Sequence, residues 1–300
     1  MFLSMHNWMR AEPIEVTIRR LAKYGYASIE IEGLPQKYDP KEVRRLLKEY
    51  GLFCNGSVTL MFEGRDLIHA DEAVRARSIQ YVKDCVTLVK ELDSHKLSVV
   101  PSQVGKLTAL ASEAEEWNWA VESLKEIYDY SEKAGVVLGL EAINRYETYF
   151  INRHDQALLL AEAVGPNCGV CLDAFHINFE EADPWQAILN SRERLVGFHV
   201  ADNNRMPCGL GSYDWVRLVT TLKAAGYNDA LMVEFVMMQD HTPANFDKNA
   251  LPKAATELTP EQLKYIKELG SAALSDECYN WLVEMSAKTL KTAIEKVGAA

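Results

Sequence analysis

No apolar run in the 300-residue chain reaches the roughly 18 residues that a bilayer crossing requires. The opening stretch MFLSMHNWMR also lacks the basic start and long apolar core of a secretion signal. A membrane partner is thereby excluded and a cytoplasmic location is expected. Basic residues are short as well: 32 Lys and Arg stand against 43 Asp and Glu, for a formal charge of -11. A phosphate backbone needs a cationic counterpart, so no nucleic-acid partner is expected. Six cysteines are too few for a disulfide scaffold at this length. Cys54, Cys85, Cys168 and Cys171 fall within apolar stretches, which predicts free thiols. Cys168 and Cys171 have zinc-knuckle or redox-pair spacing, but they lie inside an apparent strand with no second pair. No linker breaks the composition, so one domain over 1–300 is expected.

What is present is a regular alternation. Apolar strands are expected at 2–6, 27–32, 52–60, 96–100, 136–141, 169–172, 195–200 and 230–235. Helical periodicity follows at 13–24, 39–50, 71–92, 113–134, 153–164, 183–189 and 213–225, with Gly25, Gly51 and Gly226 as stops. Strands that are mostly apolar with little strict alternation suit a parallel sheet covered by helices, and eight of them suit a closed (β/α)8 TIM barrel. A doubly wound open sheet usually offers fewer strands and a Gly-rich first turn, and no G-x-G-x-x-G follows the first strand. Beyond the eighth strand, a proline-bearing stretch at 241–258 and helical patterns at 260–269, 275–285 and 286–297 exceed one closing helix. This additional helical segment, about 241–285, is expected to clad the barrel, cover its mouth or contact another subunit.

In a parallel barrel the carboxyl ends of the strands form one rim, where the chemistry sits. The fifth to eighth strands end at Glu141, Asp173, His199 and Glu234. Three carboxylates brought together repel unless a cation compensates them, and one imidazole with three oxygen donors suits Mn2+, Co2+ or Mg2+ better than structural zinc. One divalent ion is the expected cofactor, Mn2+ first, with Co2+ or Mg2+ as alternatives. Beyond these ends, Asn144, Arg145, Glu147, His176, Asn178, Asp202, Asn203, Asn204 and Arg205 form a polar ring suited to a hydroxyl-rich ligand. His6 and Trp8 are expected to close the ligand pocket, and Glu32 to meet a hydroxyl.

The segments GLEAINRYETYF, LDAFHINFEE, GFHVADNNRMPCGLGSYDW and VEF resemble those of the ketose 3-epimerase family within the xylose-isomerase-like barrels. The resemblance spans about 27–235 and is strongest from Gly139 onward. It implies a (β/α)8 barrel with one Mn2+ or Co2+ held by Glu141, Asp173, His199 and Glu234. It further implies sugar-oxygen contacts from Glu147, His176 and Arg205, and proton exchange by Glu141 and Glu234 on opposite faces of an enediolate. The implied partner is a small keto sugar, with a homo-oligomer expected.

Two departures bear on the substrate. Where that family usually carries Glu-Asn/Cys-Asn-Arg after the seventh strand, this chain has Asp202-Asn203-Asn204-Arg205, one methylene shorter at the carboxylate. After the fourth strand, where the family often has a tryptophan-bearing sugar wall, it reads VVPSQVGK at 99–106. The retained metal motif and enlarged C-terminal region are also similar to the catalytic subunits of C-glycoside deglycosidases. Those enzymes deprotonate a 3-keto glucoside and expel its aglycone, usually with a small second subunit. A sugar-binding protein without catalysis is the third alternative.

Overall fold

The structure, a computed structural model, describes residues 1–62, 64–236 and 275–299. Eight strands, β1 (Phe2–Met5), β2 (Ser28–Glu32), β3 (Phe53–Val58), β4 (Lys96–Val99), β5 (Val137–Glu141), β6 (Gly169–Asp173), β7 (Leu195–Val200) and β8 (Ala230–Val233), make one sheet in the order β1-β8-β7-β6-β5-β4-β3-β2. Every ladder is parallel. The remaining seam, β1 against β2, is joined more lightly, by a parallel bridge between His6 and Glu30 and by Ala27 N–H donating to the Leu3 carbonyl at 2.9 Å. The expected eight-stranded TIM barrel is therefore what forms.

The α-helices among the described residues are α1 (Ile14–Tyr24), α2 (Pro40–Tyr50), α3 (Glu72–Glu91), α4 (Glu113–Ala134), α5 (His154–Val164), α6 (Ala174–Glu180), α7 (Pro184–Ser191), α8 (Trp215–Ala224) and α9 (Asp276–Gly298). Local sequence explains their limits. Asp39 caps α2 by accepting Lys41 N–H, Pro40 occupies the first turn, and Gly51 ends the helix in the left-handed region. Val43, Leu46 and Leu47 then form the buried stripe of that helix. Ser112 and Glu115 cap α4 reciprocally.

The main core lies between strands and helices. Leu3, Met5, Ile29, Ile31, Leu97, Val99, Leu138, Leu140, Phe198 and Val200 are all buried there, each worth about 1.5–3 kcal/mol of burial. The alternate residues face the barrel axis and are strongly polar on one side. Ser98 of β4 comes within 3.5 Å of His199 of β7 across that axis.

Two segments differ from sequence expectation. Between β6 and the helix expected at 183–189, the chain makes an additional short helix, α6, capped by Asp173. Seven residues are too few for a 3.6-residue period to show. At the other end, the two helices expected at 275–285 and 286–297 are the single helix α9. Ser286, where the second was expected to begin, is buried mid-helix, and its hydroxyl accepts Cys208 N–H at 3.1 Å. The pattern expected at 260–269 and the stretch 241–274 lie outside the described residues.

Candidate active site and metal centre

The four acidic and imidazole groups expected at the rim do converge. Ligand-type atoms of Glu141, Asp173, His199 and Glu234 all lie within 4.8 Å of one another, and all four residues are buried. Glu141 and Asp173 end β5 and β6, His199 is the penultimate residue of β7, and Glu234 follows β8 directly. The backbone of Glu234 is held to the rim by donation to the Val200 carbonyl at 3.0 Å.

Each side chain is partly committed and partly free. Asp173 Oδ1 caps α6 through Phe175 and His176 N–H at 2.6 and 3.1 Å, which leaves Oδ2 buried without a hydrogen-bond partner. His199 Nδ1 lies 3.0 Å from Glu141 Oε1 and 3.3 Å from Glu234 Oε2. Trp8 Nε1–H donates to Glu234 Oε1 at 3.0 Å, and Glu234 Oε2 lacks a hydrogen-bond partner.

Charge is out of balance here. Burial raises the Glu141 and Asp173 carboxyls above the usual range, and the nearby Glu234 charge raises both further. Glu234 itself is held well below that range, because His6, His199 and Arg205 outweigh its burial. Burial disfavours a charged His199, yet Cys171 and the carboxylates of Glu141, Glu30 and Glu234 raise it well above the ordinary imidazole value. A site that pulls protons onto an imidazole this strongly attracts positive charge. Orphaned oxygens of Asp173 and Glu234 facing a carboxylate and an imidazole fit a divalent cation bound through one nitrogen and several oxygens.

Beside the cluster is a second triad. Arg205 Nη1 lies 3.0 Å from Glu147 Oε1 and 3.1 Å from His176 Nε2, and its guanidinium stacks on Phe175 at 4.8 Å. Asn144 ties the triad together, donating to Glu147 at 2.8 Å and to His176 Nδ1 through its backbone N–H at 3.1 Å. Burial would raise Glu147, but the Arg205 and His176 charges bring its carboxyl below the ordinary range. Burial and Arg205 together lower His176 and favour its neutral form. Arg205 occupies the left-handed region at φ 61, a conformation with a cost for a non-glycine residue, held by Arg205 N–H to Asp202 and by Val236 N–H to Arg205.

Both groups open into one cavity of about 290 Å³. Its polar side is Glu141, Glu147, His176, Arg205 and Glu234. The rest of the lining is mostly apolar: Trp8, Val58, Leu60, Met61, Phe62, Val100, Val104, Ile143 and Val236, with Thr59 among them. The 100–106 loop is fixed in this wall by Val104 N–H to Met61 and Gly105 N–H to Glu147, both 2.7 Å, and by Lys106 buried against Asp66 at 2.9 Å.

Four residues expected near the substrate sit elsewhere. Asp202 is fully buried and organises its own loop, accepting Asn203, Tyr213 and Gly209 N–H at 3.0, 3.0 and 2.8 Å and Trp215 Nε1–H at 3.3 Å. Glu32 accepts from Asn7, Lys37 and Tyr38 and does not line the cavity. His6 is fully buried at the β1–β2 seam, 3.0 Å from Glu30, where it also forms a candidate ligand group with His199 and Glu234 rather than lining the cavity. Arg145 points outward into a bidentate pair with Glu180.

Two contacts escaped sequence reasoning. Trp8 touches Glu234 directly, and Glu30 lies 3.2 Å from His199 Nε2. Glu30 had a signal: in SIEIE the carboxylates alternate with isoleucines, which puts Glu30 and Glu32 on the same face as Ser28. His6 and His199 hold Glu30 far below the carboxylate range despite its burial.

A model of the xylose-isomerase-like TIM barrel matches residues 18–269. The chain belongs to that family. Within it, an L-ribulose 3-epimerase of Mesorhizobium japonicum is 30% identical over 223 residues, covering 74% of this chain and 75% of that protein. A 3-dehydro-D-guloside 4-epimerase of Escherichia coli is 27% identical over 233 residues, covering 74% of this chain and 87% of its own length. A crystal structure of D-psicose 3-epimerase with D-tagatose from Clostridium cellulolyticum H10 superposes with a TM-score of 0.80 at 21% identity, over 98% of this chain and 99% of that one. That last likeness speaks to the shared barrel.

Proposed function

We propose that the protein is a divalent-metal-dependent keto-sugar epimerase or isomerase that works by removing and returning a proton next to a carbonyl. The observation carrying this reading is a division within the cluster. Glu141 and Glu234 belong to the four-residue centre and also line the cavity, whereas Asp173 and His199 are fully buried and do not. Two carboxylates therefore meet both the ion position and the substrate space.

Glu141, Asp173, His199 and Glu234 are the residues that would hold the ion, with Mn2+ first and Co2+ or Mg2+ as alternatives. A bound divalent ion supplies positive charge where oxyanion character develops as the α proton leaves. Glu234, kept ionised by its neighbours and oriented by Trp8, takes the proton from one face, and Glu141 returns one to the other. Arg205, His176 and Glu147 offer donors and an acceptor to sugar oxygens, and the tie through Asn144 fixes their spacing before the ligand arrives. The kinship to an L-ribulose 3-epimerase supports a ketose as substrate.

A second reading, elimination from a 3-keto glycoside, is favoured by the apolar wall. Free ketohexoses carry a hydroxyl or carbonyl on every carbon, and each such group buried unpaired costs about 1–3 kcal/mol. An aryl or alkyl aglycone would instead match Val58, Leu60, Met61 and Val104. Incubating the Mn2+-loaded protein with ketohexoses and with aryl 3-keto glycosides, followed by NMR of the products, separates the two. A new ketose supports epimerisation; a released aglycone transfers the assignment to elimination. Binding of either compound without turnover would overturn both.

The exposed ring pair of Tyr146 and Phe179 is in keeping with a homo-oligomer or a second subunit. The free thiols of all six cysteines agree with a cytoplasmic setting.

A further inference from the structure

Glu30 has no part in the proton transfer just described, yet it is among the most enclosed charges of the protein, 1% exposed at the seam that closes the barrel. Its Oε2 lies 3.0 Å from His6 Nε2 and 3.2 Å from His199 Nε2. Its Oε1 receives the Ser98 hydroxyl at 3.3 Å. The His199 ring thus stands between two acidic environments, with Glu30 at Nε2 and the Glu141–Glu234 pair at Nδ1.

An imidazole that binds a metal ion through one nitrogen must carry its single hydrogen on the other. An ionised carboxylate only accepts, so Glu30 can satisfy His199 only if Nε2 bears that hydrogen. The lone pair is then confined to Nδ1, which faces the cluster. His6 Nε2 approaches the same Glu30 oxygen from β1, and Ser98 holds the other oxygen from β4, so the carboxylate is braced from both sides of the axis.

We propose that Glu30 is the positioning residue of His199: by holding Nε2–H it dedicates Nδ1 to the divalent ion, with His6 and Ser98 keeping Glu30 in place. This rests on the reading of the four-residue cluster as an ion site. Glu30 touches neither the cavity nor the cluster's shared centre, and it acts through the ring.

Glu30→Gln keeps the shape but leaves only one accepting atom. Whichever way the amide turns, at least one of the three groups around it loses its acceptor, and an amide N–H facing His199 favours the wrong tautomer. Mn2+ binding to the full chain, followed by electron paramagnetic resonance of the free ion, is expected to weaken roughly 10- to 100-fold in Glu30→Gln. Glu30→Asp should recover part of the loss. In parallel, 15N NMR of the unsubstituted protein loaded with diamagnetic Zn2+ should show hydrogen on His199 Nε2 and a metal-bound Nδ1. Glu30→Gln binding Mn2+ as tightly as the parent protein, or a spectrum with Nε2 on the metal, would overturn the proposal. The spectrum decides by itself if Glu30→Gln does not fold. A parent protein that binds neither Mn2+ nor Zn2+ would remove the ion-site reading beneath the proposal; an unaffected Glu30→Gln removes only the role of Glu30.

Discussion

Strands β5 to β8 and strands β1 to β4 enclose one axis with opposite chemistry. The first group delivers Glu141, Asp173, His199 and Glu234 to the rim, and the segments that follow its strands add Glu147, His176 of α6 and Arg205. The second group sends Ser4, Ser28, Glu30 and Ser98 to the barrel interior, while residues at and beyond its strand ends, Val58 to Phe62, Val100 and Val104, build a mostly apolar wall. One half thus carries the reacting groups, and the other holds them from beneath and shapes the space they act on. The physical difference is access: Glu141 and Glu234 of the β5–β8 group line the cavity, whereas Glu30 and Glu32 do not and are paired with His6, His199 and Lys37.

The comparison breaks most decisively by removing the ion. Chelation with EDTA should lower turnover of an accepted keto sugar to background and Mn2+ should restore it, measured by product NMR; activity that survives chelation would make the β5–β8 cluster a structural feature. Next in size, Glu234→Gln should reduce turnover by roughly 10²–10⁴-fold with the fold unchanged by circular dichroism, because an amide cannot take the proton. Full turnover in that variant would contradict the base assignment. Arg205→Lys should act mainly on substrate affinity, raising KM by about tenfold, since an ammonium replaces a planar group that meets Glu147, His176 and Phe175 together. The smallest effect should come from the other half. Val104→Ser should leave Mn2+ binding intact and shift the kcat/KM ratio of a free ketose to an aryl keto glycoside severalfold toward the ketose, because it alters the wall by about one buried hydroxyl. An equal loss for both substrates would show that the wall does not select between them.

The two halves also differed in how legible they were. In β5–β8 an apolar strand runs straight into a carboxylate or histidine and then a polar loop, so Glu141, Asp173, His199 and Glu234 announced themselves, and the repeating strand–helix pattern gave the barrel. In β1–β4 the informative residue hides within its strand. Glu30 lies between Ile29 and Ile31, and its partners His6 and His199 come from β1 and β7, brought to it only by closure of the barrel. Asp202 misled for the converse reason. Its position beside Asn203 and Asn204 resembles a ligand-binding run, but three donors from its own loop and one from α8 consume the carboxylate. Helix α6 was hidden by its length, and its cap, Asp173, serves the helix with one oxygen and the cluster with the other.

The central claim is that Glu141 and Glu234 exchange a substrate α proton with solvent in an ion-dependent way. Its most direct test is deuterium uptake from D2O by a ketose, followed by proton NMR with the Mn2+-loaded and the chelated protein side by side. The account predicts loss of the signal at the carbon next to the carbonyl with the loaded protein and none with the chelated one. Saturable sugar binding with no exchange under either condition would contradict it.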